Sequence, residues 1–189
     1  EFEPENESNV ASLTVENNTF NSTTLQVEDK TSARGLAGLD LESILADNTF
    51  DRAAVVRGAS GDIKAGPNNF RKVYSSLSAP VSDAAADDIV ELEEATGTYS
   101  GGLTIDKSLT LRGDASSSPS LTSKATASCM KSAVIDASGT NQGITVTGSG
   151  VTLANLCVKN ADSHNLYTDA TISNLALNNI EVLNAGNQG

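Results

Sequence analysis

The chain of 189 residues has no tryptophan, one methionine, one histidine, three tyrosines and four phenylalanines. A core built on large aromatic side chains does not fit this composition. Packing must come from Val, Ile, Leu and Ala, which suit strands arranged in thin layers. Positive charge is also scarce. Twelve Lys and Arg face 24 Asp and Glu, for a net charge of −12 and a pI near 4.3. A phosphate backbone requires a basic footprint, so the charge argues against nucleic acid as a partner, and against an anionic membrane surface for the same reason. Cations and glycans remain compatible with such a surface. No apolar run approaches the ~18 residues of a membrane span. The acidic start EFEPENESN contains no secretory signal, so either a leader has been removed or none existed. The two cysteines, Cys129 and Cys157, do not form a metal-type C-x-x-C pair.

Turn-forming Asn, Ser, Thr, Gly and Asp are abundant instead. They punctuate short apolar alternations: LTI at 103–105, LTL at 109–111, AVI at 133–135, ITV at 144–146, VTL at 151–153, LCV at 156–158, TIS at 171–173, LAL at 175–177 and IEV at 180–182. Strands this short and this regularly spaced predict a repeat architecture. LANLCVKNA (153–161) realigns with LNNIEVLNA (177–185) at a shift of 24, pairing Leu153 with Leu177, Asn155 with Asn179, Val158 with Val182 and Asn160 with Asn184. That shift is one coil of a parallel β-helix, with side-chain amide ladders expected where Asn recurs. Near the start, Asn18-Thr19-Phe20 realigns with Asn48-Thr49-Phe50 at a shift of 30, so residues 1–57 also read as coils.

GASGDIKAGPNNFRK (58–72) reads as a junction. After it, Val73, Leu77, Val81 and Ala84 fall at helical spacing, which predicts a short helix at about 73–87 despite Pro80. Residues 116–129 read as a loop leaving the coil. Tyr74–Ser76, the helix, a strand at Ile89–Leu92, Gly97-Thr98-Tyr99 and the strand pair Leu103–Gly113 together resemble the opening unit of the right-handed parallel β-helix repeat proteins. That family includes pectate-lyase-like enzymes, periplasmic copper-associated proteins and archaeal surface-layer proteins. The resemblance is close over about 40 residues and follows the coil pattern beyond them. It differs in turn chemistry: Ala86-Asp87-Asp88 stands where Gly-Asp is usual, and Glu93-Glu94-Ala95 replaces a common Pro. It implies an all-β, right-handed parallel β-helix with a short capping helix, and a body spanning 73–189. For function it is weakly informative, because the fold hosts both enzymes and inert scaffolds.

Candidate sites are few. Asn6, Asn17 and Asn21 open N-x-S/T sequons, as in an exported glycoprotein. Stacked coils can bring Cys129 and Cys157 within disulfide reach; a bond between subunits and two buried thiols are the other readings. Asp87, Asp88, Glu91 and Glu93 are candidate Ca²⁺ ligands, although their alternation is also that of an outward strand face. A lyase needs a basic residue beside Ca²⁺-binding carboxylates, and none of the five arginines sits beside a paired-Asp strand motif. The paired carboxylates of a glycosidase have no counterpart, and His164 reads as a lone loop histidine. No cofactor motif is present.

The expectation is therefore a structural, non-enzymatic protein, extracellular or at the cell surface, assembling head to tail as a homopolymer into a filament, sheath or surface layer. Residues 1–57 would complete a neighbouring subunit's stack. A self-capped monomer and a piece of a tandem array are the competing organisations. A carbohydrate-active module (lyase, glycosidase or glycan binder) is the alternative function.

Overall fold

The computed structural model describes residues 14–20, 25–27, 47–50, 54–57, 71–74, 76–92, 98–113, 129, 133–168 and 171–186. In chain order, the first strands are β1 (Thr19–Phe20), β2 (Leu25–Val27), β3 (Thr49–Phe50), β4 (Ala54–Arg57) and β5 (Arg71–Tyr74), followed by helix α1 (Ser78–Asp83). Four coils come next. The first holds β6 (Asp88–Leu92), β7 (Tyr99–Ser100) and β8 (Leu103–Ile105). The second holds β9 (Leu109–Gly113), β10 (Val134–Asp136) and β11 (Gln142–Val146). The third holds β12 (Thr152–Ala154), β13 (Cys157–Lys159) and β14 (His164–Thr168); the last described coil holds β15 (Ala176–Asn178) and β16 (Glu181–Leu183).

Each strand lies parallel on its counterpart in the next coil, forming three sheets. This is a right-handed parallel β-helix; the sequence period predicts the parallel coils, and the resemblance of the opening unit implies the hand. The register stacks like on like. Val90, Leu111, Leu153 and Leu177 form one column. Tyr99, Ile135, Val158 and Val182 form the second. Leu103, Ile144 and Leu166 form the third. Burial of these columns is the main driving force, because no single coil can remove its own apolar face from water. The shift of 24 read from the sequence is the true register at β12–β15 and β13–β16.

Asparagine supplies the corners. Asn155, Asn160, Asn179 and Asn184 all have positive φ, between 53° and 64°. Apart from glycine, asparagine tolerates this conformation best. The expected ladders are present: Asn179 Nδ2 donates to Asn155 Oδ1 at 2.8 Å, and Asn184 Nδ2 to Asn160 Oδ1 at 3.3 Å.

The N-terminal end is closed by two devices. Strand β4 pairs antiparallel with β6, then β5 and β2 follow antiparallel, extending the first sheet to seven strands. Antiparallel addition needs no crossover, so it terminates a parallel stack with little chain. Helix α1 buries Pro80 and Val81 over the end of the core, joined by Leu77 and Ala84. It is shorter than the predicted 73–87 segment: Val73 and Tyr74 belong to β5, where sheet pairing overrides helical spacing. Pro80 is the third helical residue, inside the first turn, where a missing N–H costs no helical hydrogen bond. Lys107 Nζ caps the other end, donating to the carbonyls of Ser82 (3.0 Å) and Ala84 (3.1 Å).

The described residues among the first 57 use two arrangements. Strands β1 and β3 pair parallel at the predicted shift, Thr19 on Thr49 and Phe20 on Phe50. Asn48 is buried, and its Oδ1 accepts from Asn18 Nδ2 at 3.0 Å. Strands β2 and β4, which a coil reading would stack in parallel, each pair antiparallel with β5, and β4 also with β6. Two further expectations change. TIS (171–173) is not a strand; it forms a coil corner, where the Ser173 N–H bonds to Ser149 Oγ and Ile172 packs half-buried. His164–Thr168 is a strand, where a loop was expected.

The column register generates a contrast. Leu111→Ala, at a fully buried position, is expected to lower unfolding free energy by about 3 kcal/mol. Leu177→Ala, at half-exposed Leu177, should cost well under half of that. Denaturant unfolding of the two variants measures the difference.

Candidate functional site

Among the described residues, three regions bear chemistry-capable side chains. The first is the acidic turn after α1. Asp87 has φ 66°, and its Oδ1 accepts from Ser108 Oγ at 2.6 Å. Asp88 is buried, and its Oδ2 accepts from the Ala85 N–H at 2.7 Å. Glu91 pairs with Arg112 of the next coil, whose Nε donates to Glu91 Oε2 at 2.6 Å. These carboxylates therefore serve a turn, a helix exit and an inter-coil ion pair, and they are not gathered around a common point. Glu93 lies outside the described residues. Nearby, the buried Tyr74 hydroxyl donates to Asp83 Oδ2 at 2.9 Å. Burial, and then the Asp83 carboxylate, raise the phenol far above its ordinary range.

The second region is the outer face of the sheet β7–β10–β13–β16. Inward Ile135, Val158 and Val182 leave Val134, Cys157 and Glu181 in register facing outward. Cys157 is nonetheless fully buried. Cys129, from the segment between β9 and β10, forms a disulfide with it, with a Cα–Cα distance of 5.8 Å. Of the open readings of these cysteines, the intramolecular bond is the one present. Among the described residues, Cys129, Cys157 and Glu181 also make up the one group of three metal-ligand types, with ligand atoms within 4.8 Å of one another. Sequence reasoning missed Glu181, although the shift of 24 places it on Cys157.

One step along the same face, Lys159 Nζ lies 3.2 Å from Asp136 Oδ2. Asn160 Nδ2 donates to the same carboxylate at 3.1 and 3.2 Å, and Ser138 Oγ at 2.6 Å. Partial burial opposes ionisation of Asp136. The hydrogen bonds from Ser138, Asn160 and Lys159 outweigh it and lower the carboxyl to about 2.

The third region is the last described coil. Leu177 is 50% and Val182 52% exposed, although the residues beneath them in their columns are at most 1% exposed. Tyr167, on the terminal strand of the third sheet, is 42% exposed. His164 lies on that strand, with Nδ1 2.7 Å from Ser163 Oγ and its ring 5.8 Å from that of Tyr167. Its strand was hidden because HNLYT has one aliphatic residue; Leu166 lying on Ile144 is the signal that could have found it. Asn17 is exposed two residues before β1, with φ 59°; Asn6 and Asn21 lie outside the described residues.

Comparisons with protein-family models, with curated proteins and with solved structures found no match. No helix among the described residues is long and apolar enough to cross a membrane.

Two outcomes follow from the outer face. The Asp136 carboxylate contributes stability that is fully present above the unfolded pKa near 4 and is lost as pH falls towards 2. Asp136→Asn should therefore flatten this part of the acid-unfolding profile, followed by circular dichroism. The disulfide closes a loop with a sequence separation of 28. Replacing both cysteines by serine should cost about 3–4 kcal/mol in guanidinium unfolding on the chain-entropy model.

Proposed function

We propose that the protein is a structural β-helix of the cell exterior, without enzymatic activity, whose copies join head to tail. One observation carries the reading. In the last described coil Leu177 and Val182 are half exposed, at positions that in the preceding coil are almost wholly covered. Adjacent exposed apolar residues on an unpaired strand edge favour addition of another strand.

The occupant we favour is β1 of a second copy. Its local geometry repeats that of the coils. Asn17 has φ 59°, as Asn155 and Asn179 have 53° and 57°, each two residues before a parallel strand. The Thr49 N–H bonds to the Asn18 carbonyl at 2.8 Å, as the Glu181 N–H bonds to that of Leu156 at 2.9 Å. Parallel addition would place Thr19 beside Glu181 and Phe20 above Val182. Such a contact is heterologous and propagates as a ring or filament, with backbone hydrogen bonds supplying much of the affinity. The disulfide favours an oxidising exterior.

Sedimentation velocity and negative-stain microscopy of the full chain test this. The expectation is concentration-dependent growth into fibres, rings or sheets. Val182→Lys would set a charge against the apolar end and should raise the half-assembly concentration by about tenfold or more. Dispersed single particles at high concentration would overturn the reading.

A further inference from the structure

We propose that Cys129, Cys157 and Glu181 form a thiophilic divalent-metal site in the reduced chain, abolished when the disulfide closes. The inference rests on this cluster alone and does not depend on the assembly reading. Cys157 and Glu181 occupy register-matched positions on adjacent parallel strands, so the sheet holds them on one face. Cys129 is bonded to Cys157, and all three ligand atoms lie within 4.8 Å of one another. In a tetrahedral zinc site, metal–sulfur bonds of about 2.3 Å and metal–oxygen bonds of about 2.0–2.2 Å set ligand atoms roughly 3.5–3.8 Å apart. The separations in the cluster, up to 4.8 Å, exceed that spacing by about 1 Å at most. Two thiolates and one carboxylate supply three ligands and leave the fourth position to water. Thiolates select Zn²⁺ or Co²⁺ over the hard cations Ca²⁺ and Mg²⁺.

The redox step balances with a dithiol as reductant. It donates two electrons and two protons; the Cys129–Cys157 bond breaks, two thiols form, and the reductant leaves as its own disulfide. When the metal binds, both thiol protons pass to solvent. The same two sulfurs cannot hold a metal and each other, so metal loading and disulfide closure exclude one another. A chain in a reducing compartment would carry the ion, and in an oxidising one the disulfide. Cys157 is fully buried and Cys129 only partly, so attack by an external thiolate reaches the Cys129 sulfur first.

The test uses the full chain, reduced with a dithiol, freed of it without air, and titrated with Co²⁺. The expected result is one Co²⁺ per chain with a thiolate-to-metal absorption band, displaced by Zn²⁺ and absent from the oxidised chain. Glu181→Gln should weaken Co²⁺ binding by about tenfold or more, as losing a ligand costs at least what losing an outer-shell partner does. Zn²⁺ should also slow reclosure of the disulfide, followed by thiol titration. A reduced chain that keeps its β-sheet circular dichroism, has two titratable thiols and shows no band would overturn the proposal. Equal Co²⁺ affinity in Glu181→Gln would overturn it too, as would loss of the sheet signal on reduction.

Discussion

In-register stacking of short strands is the constraint on which the rest of the structure depends. A strand of three residues has too little surface to persist alone. It becomes stable when an identical inward pattern lies on either side at the ~4.8 Å strand spacing. The columns through Leu111, Ile135 and Ile144 meet this condition, and these residues are wholly buried. Corner geometry follows from the same demand. Successive strands must point in new directions without disturbing the register, and left-handed Asn155 and Asn179 make that bend while their side chains satisfy one another.

The first and the last described coils are covered differently. At the N-terminal end, a short helix lies over the core and antiparallel strands close the edge of β6. The ionic details there are subordinate to that closure: Lys107 holds the helix exit, Asp88 the turn, and Arg112 ties the first coil to the second through Glu91. At the last described coil the columns continue into half-exposed Leu177 and Val182. The first and last described coils therefore differ in how much apolar surface they leave exposed.

The outer face of the β-helix is independent of the core, and chemistry can vary there without changing the fold. Every second residue of β10, β13 and β16 points outward. The same register that aligns Ile135, Val158 and Val182 inside therefore aligns Val134, Cys157 and Glu181 outside. A cystine and a carboxylate meet on this face without disturbing the columns behind them. The Asp136, Lys159 and Asn160 group shares it, with an acid whose hydrogen bonds outweigh the cost of burial.

Much of the architecture was legible because a solenoid writes its tertiary contacts into its sequence period. The match of LANLCVKNA to LNNIEVLNA is a contact map in itself, and it determined the coil length, the Leu153–Leu177 and Val158–Val182 registers and the asparagine ladders. The Asn-Thr-Phe repeat likewise determined the pairing of β1 with β3. Other features were decided only by tertiary structure. Strand β14 has almost no alternation and exists because β11 offers it an edge. Val73 has helical spacing but lies in β5, because β4 and β2 flank it. Cys129 lies in a segment without period, so only the folded chain shows that it meets Cys157 on the outer face beside Glu181. Periodic burial is a local property repeated along the chain, and the sequence alone determines it. Where an edge is closed, and which distant side chains share an outward face, depends on surfaces that exist only once the coils have stacked.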